Sequence, residues 1–237
     1  MGARPGWFDF PLRMRETATA GEKRHMKLYL APHACSLAVD IVARELQIPL
    51  ELEWVDVRAK RLRDGSDYYR INPKGQVPTL RLSDDQFLTE GSVIVQYLAD
   101  GRPESRLLPP ANTLERYRVL EWLSFIGAEL HKGFTPLFRA NTPEAYRQIA
   151  RDNLSRRLLW LNDQLADREY LTGPDFTVAD AYCYTIVMWT KLHEIDTSPW
   201  PHLVAYLGRI GARASVKAAQ QAELVADRRA VPTSRPN

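Results

Sequence analysis

The chain is short of the features that would commit it to several classes of protein. It has two cysteines, Cys35 and Cys183. They are too few and too far apart for a disulfide scaffold, and such usage suits a reducing compartment, here the cytoplasm. Its five histidines are scattered. With the cysteines they make no recognisable ligand spacing, so no metal is expected. No window approaches the ~20 apolar residues of a bilayer crossing, so a soluble protein with no membrane partner is expected. Charge of one sign is scarce too. The formal net charge is +3, with +2 on residues 1–25 and +3 on residues 213–237, which leaves −2 for everything between. A nucleic-acid binder concentrates basic charge on its folded body, so no nucleic-acid partner is expected.

What is present is a change of period along the chain. Residues 1–25 have neither a strand nor a helix period and no continuous apolar stretch of signal-peptide type. They read as a disordered tail, or as translated upstream sequence ahead of a natural start at Met26. From Lys27 to Ala31 a short β-like run ends at Pro32-His33-Ala34. Leu37, Ile41, Val42 and Leu46 then recur at helical spacing, and Leu50 to Val57 reads as a second strand. Pro78 to Leu82 and Gln86 to Leu88 are apolar runs joined by Ser83-Asp84-Asp85, a hairpin signal. Glu90-Gly91-Ser92 opens a helix with Ile94, Tyr97 and Leu98 on one face. The order β-α-β-(α)-β-β-α predicts a mixed sheet of about four strands, parallel across the helix and antiparallel across the hairpin. That is a thioredoxin-like domain over residues 26–102.

Pro103, Pro109 and Pro110 mark residues 103–112 as a linker. Beyond it the strands stop. Val119, Leu123, Ile126 and Leu130 share one helical face, and Leu154, Leu158, Leu161 and Leu165 share another. Thr142-Pro143 reads as a cap with proline in first helical position. Thr177-Val178-Ala179-Asp180 reads as a capping box. The fold class is therefore α/β followed by all-α, with a helical domain over residues 113–226 and a disordered tail over 227–237.

Three constellations bear on chemistry. Cys35 lies where the first strand gives way to the first helix. A helix N-terminus carries about half a positive charge and free N–H groups, which would stabilise a thiolate and lower its pKa. A small buried core residue is the alternative. Cys183, inside a helix among Tyr182, Tyr184 and Ile186, reads as core. Val77-Pro78 follows the loop Asn72-Pro73-Lys74-Gly75-Gln76. If that bond is cis, the Val77 backbone can pair with a peptide-like ligand as a strand would; the alternative is a plain trans proline on an edge strand. Glu90-Gly91 begins a helix, where an anion is favoured. A ligand carboxylate would sit on the Gly91 and Ser92 N–H groups, with Glu90 holding an ammonium, or Glu90 merely complements the helix dipole.

Together these segments resemble a known family. A-P-H-A-C-S-L-A (31–38), N-P-K-G-Q-V-P-T-L (72–80), T-E-G with V-I-V-Q-Y-L-A-D (89–91, 93–100), E-L-H-K-G-F-T-P-L-F (129–138) and F-T-V-A-D-A-Y (176–182) are similar, in order, to the beta class of bacterial glutathione transferases. The resemblance implies a homodimer with glutathione, as co-substrate, in the cleft between the domains. Its γ-glutamyl end would meet Glu90 and Gly91. Its cysteinyl backbone would pair with Val77 beside a cis Pro78, and its glycyl carboxylate would approach Lys60. Cys35 would face its sulfur. Ser124, Ala128 and His131, at i, i+4 and i+7, share a helix face that would form a second wall. His131 matches the family's cleft histidine. Many members have asparagine where this chain has Ser124, which puts a partner-subunit contact to glutathione in doubt.

The activity this implies is attack of glutathione on small hydrophobic electrophiles, a detoxifying conjugation. The helix N-terminus, the Ser36 hydroxyl and N–H, and His131 would favour the thiolate, and Trp189, Phe134 and His131 would line the electrophile pocket. Two alternatives stand beside it. A thiol next to bound glutathione can form and release a mixed disulfide, which makes a monothiol disulfide reductase; there is no C-x-x-C. The other is a non-catalytic binding module for hydrophobic compounds.

Overall fold

The computed structural model describes residues 26–83 and 86–229. The expectations for residues 1–25, for Asp84 and Asp85, and for the tail beyond Arg229 fall outside them. β1 (Met26–Leu30) runs through the middle of the sheet because both of its faces are apolar. Leu28 and Leu30 are buried in the main core, and Tyr29 packs on the other face with Val55 and Tyr68. β1 is parallel to β2 (Leu50–Asp56) and antiparallel to β4 (Thr79–Ser83), which pairs with β5 (Gln86–Thr89).

The sheet has five strands in the order β3-β2-β1-β4-β5, not four. The addition is β3, Arg61–Leu62, antiparallel to the end of β2. Two residues cannot display an alternating pattern, so nothing in the sequence marks it. The anticipated second helix is a single 3₁₀ turn, Tyr68–Arg70. α1 (Leu37–Glu45) and α2 (Gly91–Asp100) cover the main-core face.

The second half is helical among the described residues. α3 (Leu114–Phe125) is capped by Thr113, whose Oγ1 accepts from the Arg116 N–H at 3.2 Å. It runs through a π-helical segment, Ile126–His131, into α4 (Lys132–Phe138). α5 spans Glu144–Gln164, and Pro143 stands at its cap, extended, one place earlier than read. α6 (Val178–Val187) is buried along its whole length and starts with the capping box of Thr177 and Asp180. α7 (Trp189–Leu192), α8 (Pro201–Gly211) and α9 (Ala214–Arg229) follow. α9 continues three residues into the stretch expected to be a disordered tail, carried by the alanine-rich run that precedes it.

One apolar cluster joins the two halves, with α1 packed on α6 and α9. A bidentate ion pair fastens that contact. Arg213 Nε and Nη2 donate to the two Glu45 carboxylate oxygens at 2.7 and 2.8 Å, Ser215 donates to the same group, and the guanidinium lies over the Phe176 ring at 4.1 Å. Burial alone would raise the Glu45 carboxyl, but the Arg213 and Ser215 hydrogen bonds outweigh it and hold it below its ordinary value. The pair therefore stabilises the fold above the unfolded carboxyl's pKa and ceases to do so as pH falls through the lower folded value. Arg213→Ala is expected to cost about 2 kcal/mol at pH 7, read by urea unfolding, and the difference from wild type narrows below about pH 4.

Candidate active site

The turn between β1 and α1 is built to present residue 35. The buried Ser36 hydroxyl accepts from the Ala31 N–H at 3.2 Å and donates to the Ala31 carbonyl at 3.3 Å, closing the turn on itself. His33 has φ +58°, and the helical domain grips it. The Trp189 indole donates to the His33 carbonyl at 2.9 Å, and the His33 N–H reaches the Glu223 carboxylate at 3.4 Å. The Ser36 hydroxyl is thus turned away from the cleft. What Ser36 offers Cys35 is its N–H.

Cys35 is half-buried and its thiol is free. Sγ donates to the Val77 carbonyl at 3.3 Å. Burial pushes the thiol up to about 12, and the Glu90 carboxylate adds to the rise. The backbone N–H groups of Cys35 and Ser36 pull the other way and lose. The expectation that the helix N-terminus lowers this pKa is corrected on that ground: desolvation of a sulfur tucked beneath the Val77 loop outweighs two N–H groups. Cys35 is a neutral donor to the Val77 carbonyl.

The Val77–Pro78 peptide bond is cis. The Asn72–Val77 loop is clamped from below. The Tyr68 hydroxyl donates to the Gln76 carbonyl at 2.9 Å, and the Asn72 amide donates to the same carbonyl at 2.7 Å and to Thr79 Oγ1 at 3.1 Å. Gly75 has φ +62°, and a Cβ there would come within 2.7 Å of the Tyr69 ring, so both backbone and space favour glycine. Lys60 folds onto this loop, with Nζ donating to the Gly75 carbonyl at 2.8 Å.

Glu90 caps α2 with φ +70°, a conformation a non-glycine residue adopts rarely. Its exposed carboxylate is paired with Lys74 Nζ, which also donates to Thr89 Oγ1 at 3.0 Å. Gly91 follows against Pro78, with room for ordinary contact only. Three segments therefore meet beside Cys35: its own turn, the cis-proline loop and the start of α2.

The opposite wall differs from the one read on a straight helix. Ser124 and Ala128 are exposed, and no described contact ties them to Cys35. The π segment lies between Ser124 and His131. His131 is instead half-buried against α6 and α7. Its Nδ1 is 2.7 Å from the Tyr182 hydroxyl, and its ring meets Trp189 edge-on with centroids 5.0 Å apart. Burial lowers its pKa to about 4, with Lys132 acting in the same direction and Glu90 against it. His131 is a neutral imidazole. Phe134 is fully buried behind Trp189 and His193. Phe138 is 49% exposed and edge-on to Trp189.

The residues that sequence reasoning missed are Lys74, Tyr182 and Phe138. All three stand inside motifs already quoted, but only contact geometry separates them from their neighbours. A concavity of about 360 Å³ between β2 and α9, lined by Leu52, Trp54, Arg63 and Val225 among others, contains none of the candidate residues. No group of three potential metal ligands occurs among the described residues.

Comparison with known proteins agrees with this geometry. Two family models match, the glutathione S-transferase N-terminal domain over residues 34–100 and the C-terminal domain over residues 125–214. Glutathione S-transferase GstA of Escherichia coli O157:H7 is 46% identical over 198 residues, which cover 84% of this chain and 98% of the relative. A sphingomonad glutathione S-transferase complexed with glutathione is 40% identical with a TM-score of 0.81, covering 84% of this chain and 99% of that one. A bacterial beta class glutathione S-transferase from Sphingomonas chungbukensis is likewise 40% identical, with a TM-score of 0.81 and coverages of 83% and 98%.

Proposed function

The chain belongs to the glutathione S-transferase family, and from that premise we propose that its cleft binds glutathione beside Cys35 and passes the glutathione sulfur to small hydrophobic electrophiles. The observation that carries the reading is the hydrogen bond from the Cys35 sulfhydryl to the carbonyl of Val77, next to the cis Pro78. A cysteinyl backbone laid along Val77 as an added strand offers an amide N–H to that same carbonyl. An amide is a much better donor than a thiol. Glutathione therefore displaces the Cys35 S–H, which turns to the ligand's sulfur.

The remaining roles follow from chemistry. The γ-glutamyl ammonium pairs with Glu90, and its carboxylate takes the leading N–H groups of α2 at Gly91 and Ser92. Lys60 exchanges the Gly75 carbonyl for the glycyl carboxylate. The Ser36 N–H and neutral His131 donate to the thiolate. In the reaction the glutathione thiol gives its proton to solvent. Its sulfur forms a bond to the electrophilic carbon, and the displaced electron pair leaves with the departing group. Trp189, Phe138 and His131 offer aromatic surface suited to varied hydrophobic electrophiles, which fits a detoxifying role.

The free Cys35 supports a second, lesser reaction. Its thiolate attacks a glutathione mixed disulfide, releasing the other thiol and leaving Cys35 joined to glutathione; a second glutathione thiolate then frees Cys35 and departs as the disulfide. The unpaired Cys35 and Cys183 suit the reducing cytoplasm. A homodimer would cover Val93 and Tyr97 of α2 and Tyr117 of α3, all exposed, and would bring Ser124, on the same helix as Tyr117, within reach of a partner's ligand.

Glu90→Gln tests the reading. It keeps the shape and removes the charge that pairs with the ammonium. The Michaelis constant for glutathione is expected to rise about tenfold with kcat at saturation little changed, the pattern of lost uniform binding. An unchanged constant would remove Glu90 from the site.

A further inference from the structure

We propose that Tyr182 is a positioning residue: its hydroxyl donates to His131 Nδ1 and so fixes the tautomer that carries the ring proton on Nε2. This rests on the reading of His131 as a neutral donor to the glutathione sulfur.

The direction of the hydrogen bond follows from what each arrangement leaves behind. The two atoms are 2.7 Å apart. Tyr182 is only 5% exposed, and its hydroxyl has no other hydrogen-bond partner among the described residues. If Nδ1 carried the proton and donated, the phenolic hydrogen would be buried without an acceptor, which costs about 1–3 kcal/mol. If the phenol donates, every group is used: Nδ1 accepts, and the proton sits on Nε2, which no described residue engages. A phenol is also the stronger acid of the two neutral donors.

The surroundings agree. Lys132 faces His131 from its own helix and Glu90 from the start of α2, and the ring is otherwise enclosed by Trp189 and Tyr182. Burial keeps both the imidazole and the phenol uncharged. Gly127, inside the π segment, lies against the Tyr182 hydroxyl, with a Cβ built there 3.8 Å from it, an ordinary contact. The π segment and α6 thus deliver the two side chains to one another, and the free nitrogen of His131 remains for a ligand. A histidine held in one tautomer by a fixed partner presents a single defined donor.

Tyr182→Phe removes the hydroxyl and keeps the ring. Nitrogen NMR of histidine-labelled protein at pH 7, with the signal assigned by loss in His131→Gln, is expected to find the wild-type proton on Nε2 and a shift towards a mixture in Tyr182→Phe. Conjugation kcat is expected to fall about tenfold, with the glutathione Michaelis constant within about threefold. In a His131→Gln background, Tyr182→Phe is expected to cost nothing further. A wild-type proton on Nδ1, an unchanged tautomer in Tyr182→Phe, or full additivity of the two substitutions would overturn the proposal; additivity would mean that Tyr182 acts on the sulfur directly. If His131→Gln leaves kcat intact, the reading of His131 fails instead, and the NMR result alone then upholds or refutes the tautomer assignment. Thermal unfolding of each variant separates these effects from loss of fold.

Discussion

Cys35→Ala is expected to abolish reduction of glutathione mixed disulfides while leaving conjugation of a chloronitrobenzene within about fivefold of wild type. The first half is a matter of bonds. The exchange runs through a Cys35–glutathione disulfide, alanine has no sulfur to form it, and Cys183 is completely buried and cannot replace it. The second half follows from charge. With its thiol pushed up to about 12 by burial, Cys35 is held as the neutral thiol at pH 7. It therefore brings no negative charge to conjugation, only one weak S–H donor among several. The direction of that shift sets the sign of the pH dependence of the exchange. A raised acid pKa keeps the proton on, so the reactive fraction grows about tenfold per pH unit through the alkaline range below that value. Exchange should climb steeply from pH 7 to 9, and conjugation should not follow it. Loss of both activities together would make Cys35 part of the conjugation machinery. Loss of neither would remove it from the site.

Asp180→Ala is expected to cost at least about 4 kcal/mol of stability, seen as a fall of roughly 10 °C or more in Tm. Asp180 is fully buried at the start of α6. Its carboxylate accepts from the Leu171 N–H at 2.9 Å, the Thr177 N–H and hydroxyl both at 2.8 Å, and the Tyr206 hydroxyl at 3.0 Å. Alanine leaves these donors buried with nothing to accept them. Asparagine is expected to recover little, because its amide NH₂ would face donors where an oxygen now stands. Since α6 carries Tyr182, activity should fall with the fold. A Tm within about 3 °C of wild type would show that water or a neighbour takes over these donors.

Much of this was legible before any coordinates. The helix periods mark α1, α2, α3 and α5, and the buried rows Val119/Leu123/Ile126/Leu130 and Leu154/Leu158/Leu161/Leu165 fall on core faces as spaced. Thr177-Val178-Ala179-Asp180 forms its capping box because the signal is local: four residues contain both partners. The misreadings were not local. The π segment Ile126–His131 has no sequence signature distinct from a helix. The partner of the Ser36 hydroxyl, Ala31, follows only from the shape of the turn. The thiol of Cys35 was expected to be acidic because a helix start is visible in sequence and desolvation is not. It takes the Val77 loop, brought in from 42 residues away, to bury the sulfur.

The central claim, that the cleft beside Cys35 is a glutathione site, is tested most directly by calorimetric titration of the full chain with glutathione and with the dipeptide cysteinylglycine. The account predicts one saturable glutathione site per subunit. It also predicts at least about tenfold weaker binding of the dipeptide, which lacks the γ-glutamyl group that Glu90 and the start of α2 are placed to hold. No saturable heat with glutathione, or equal affinity for the two ligands, would contradict it.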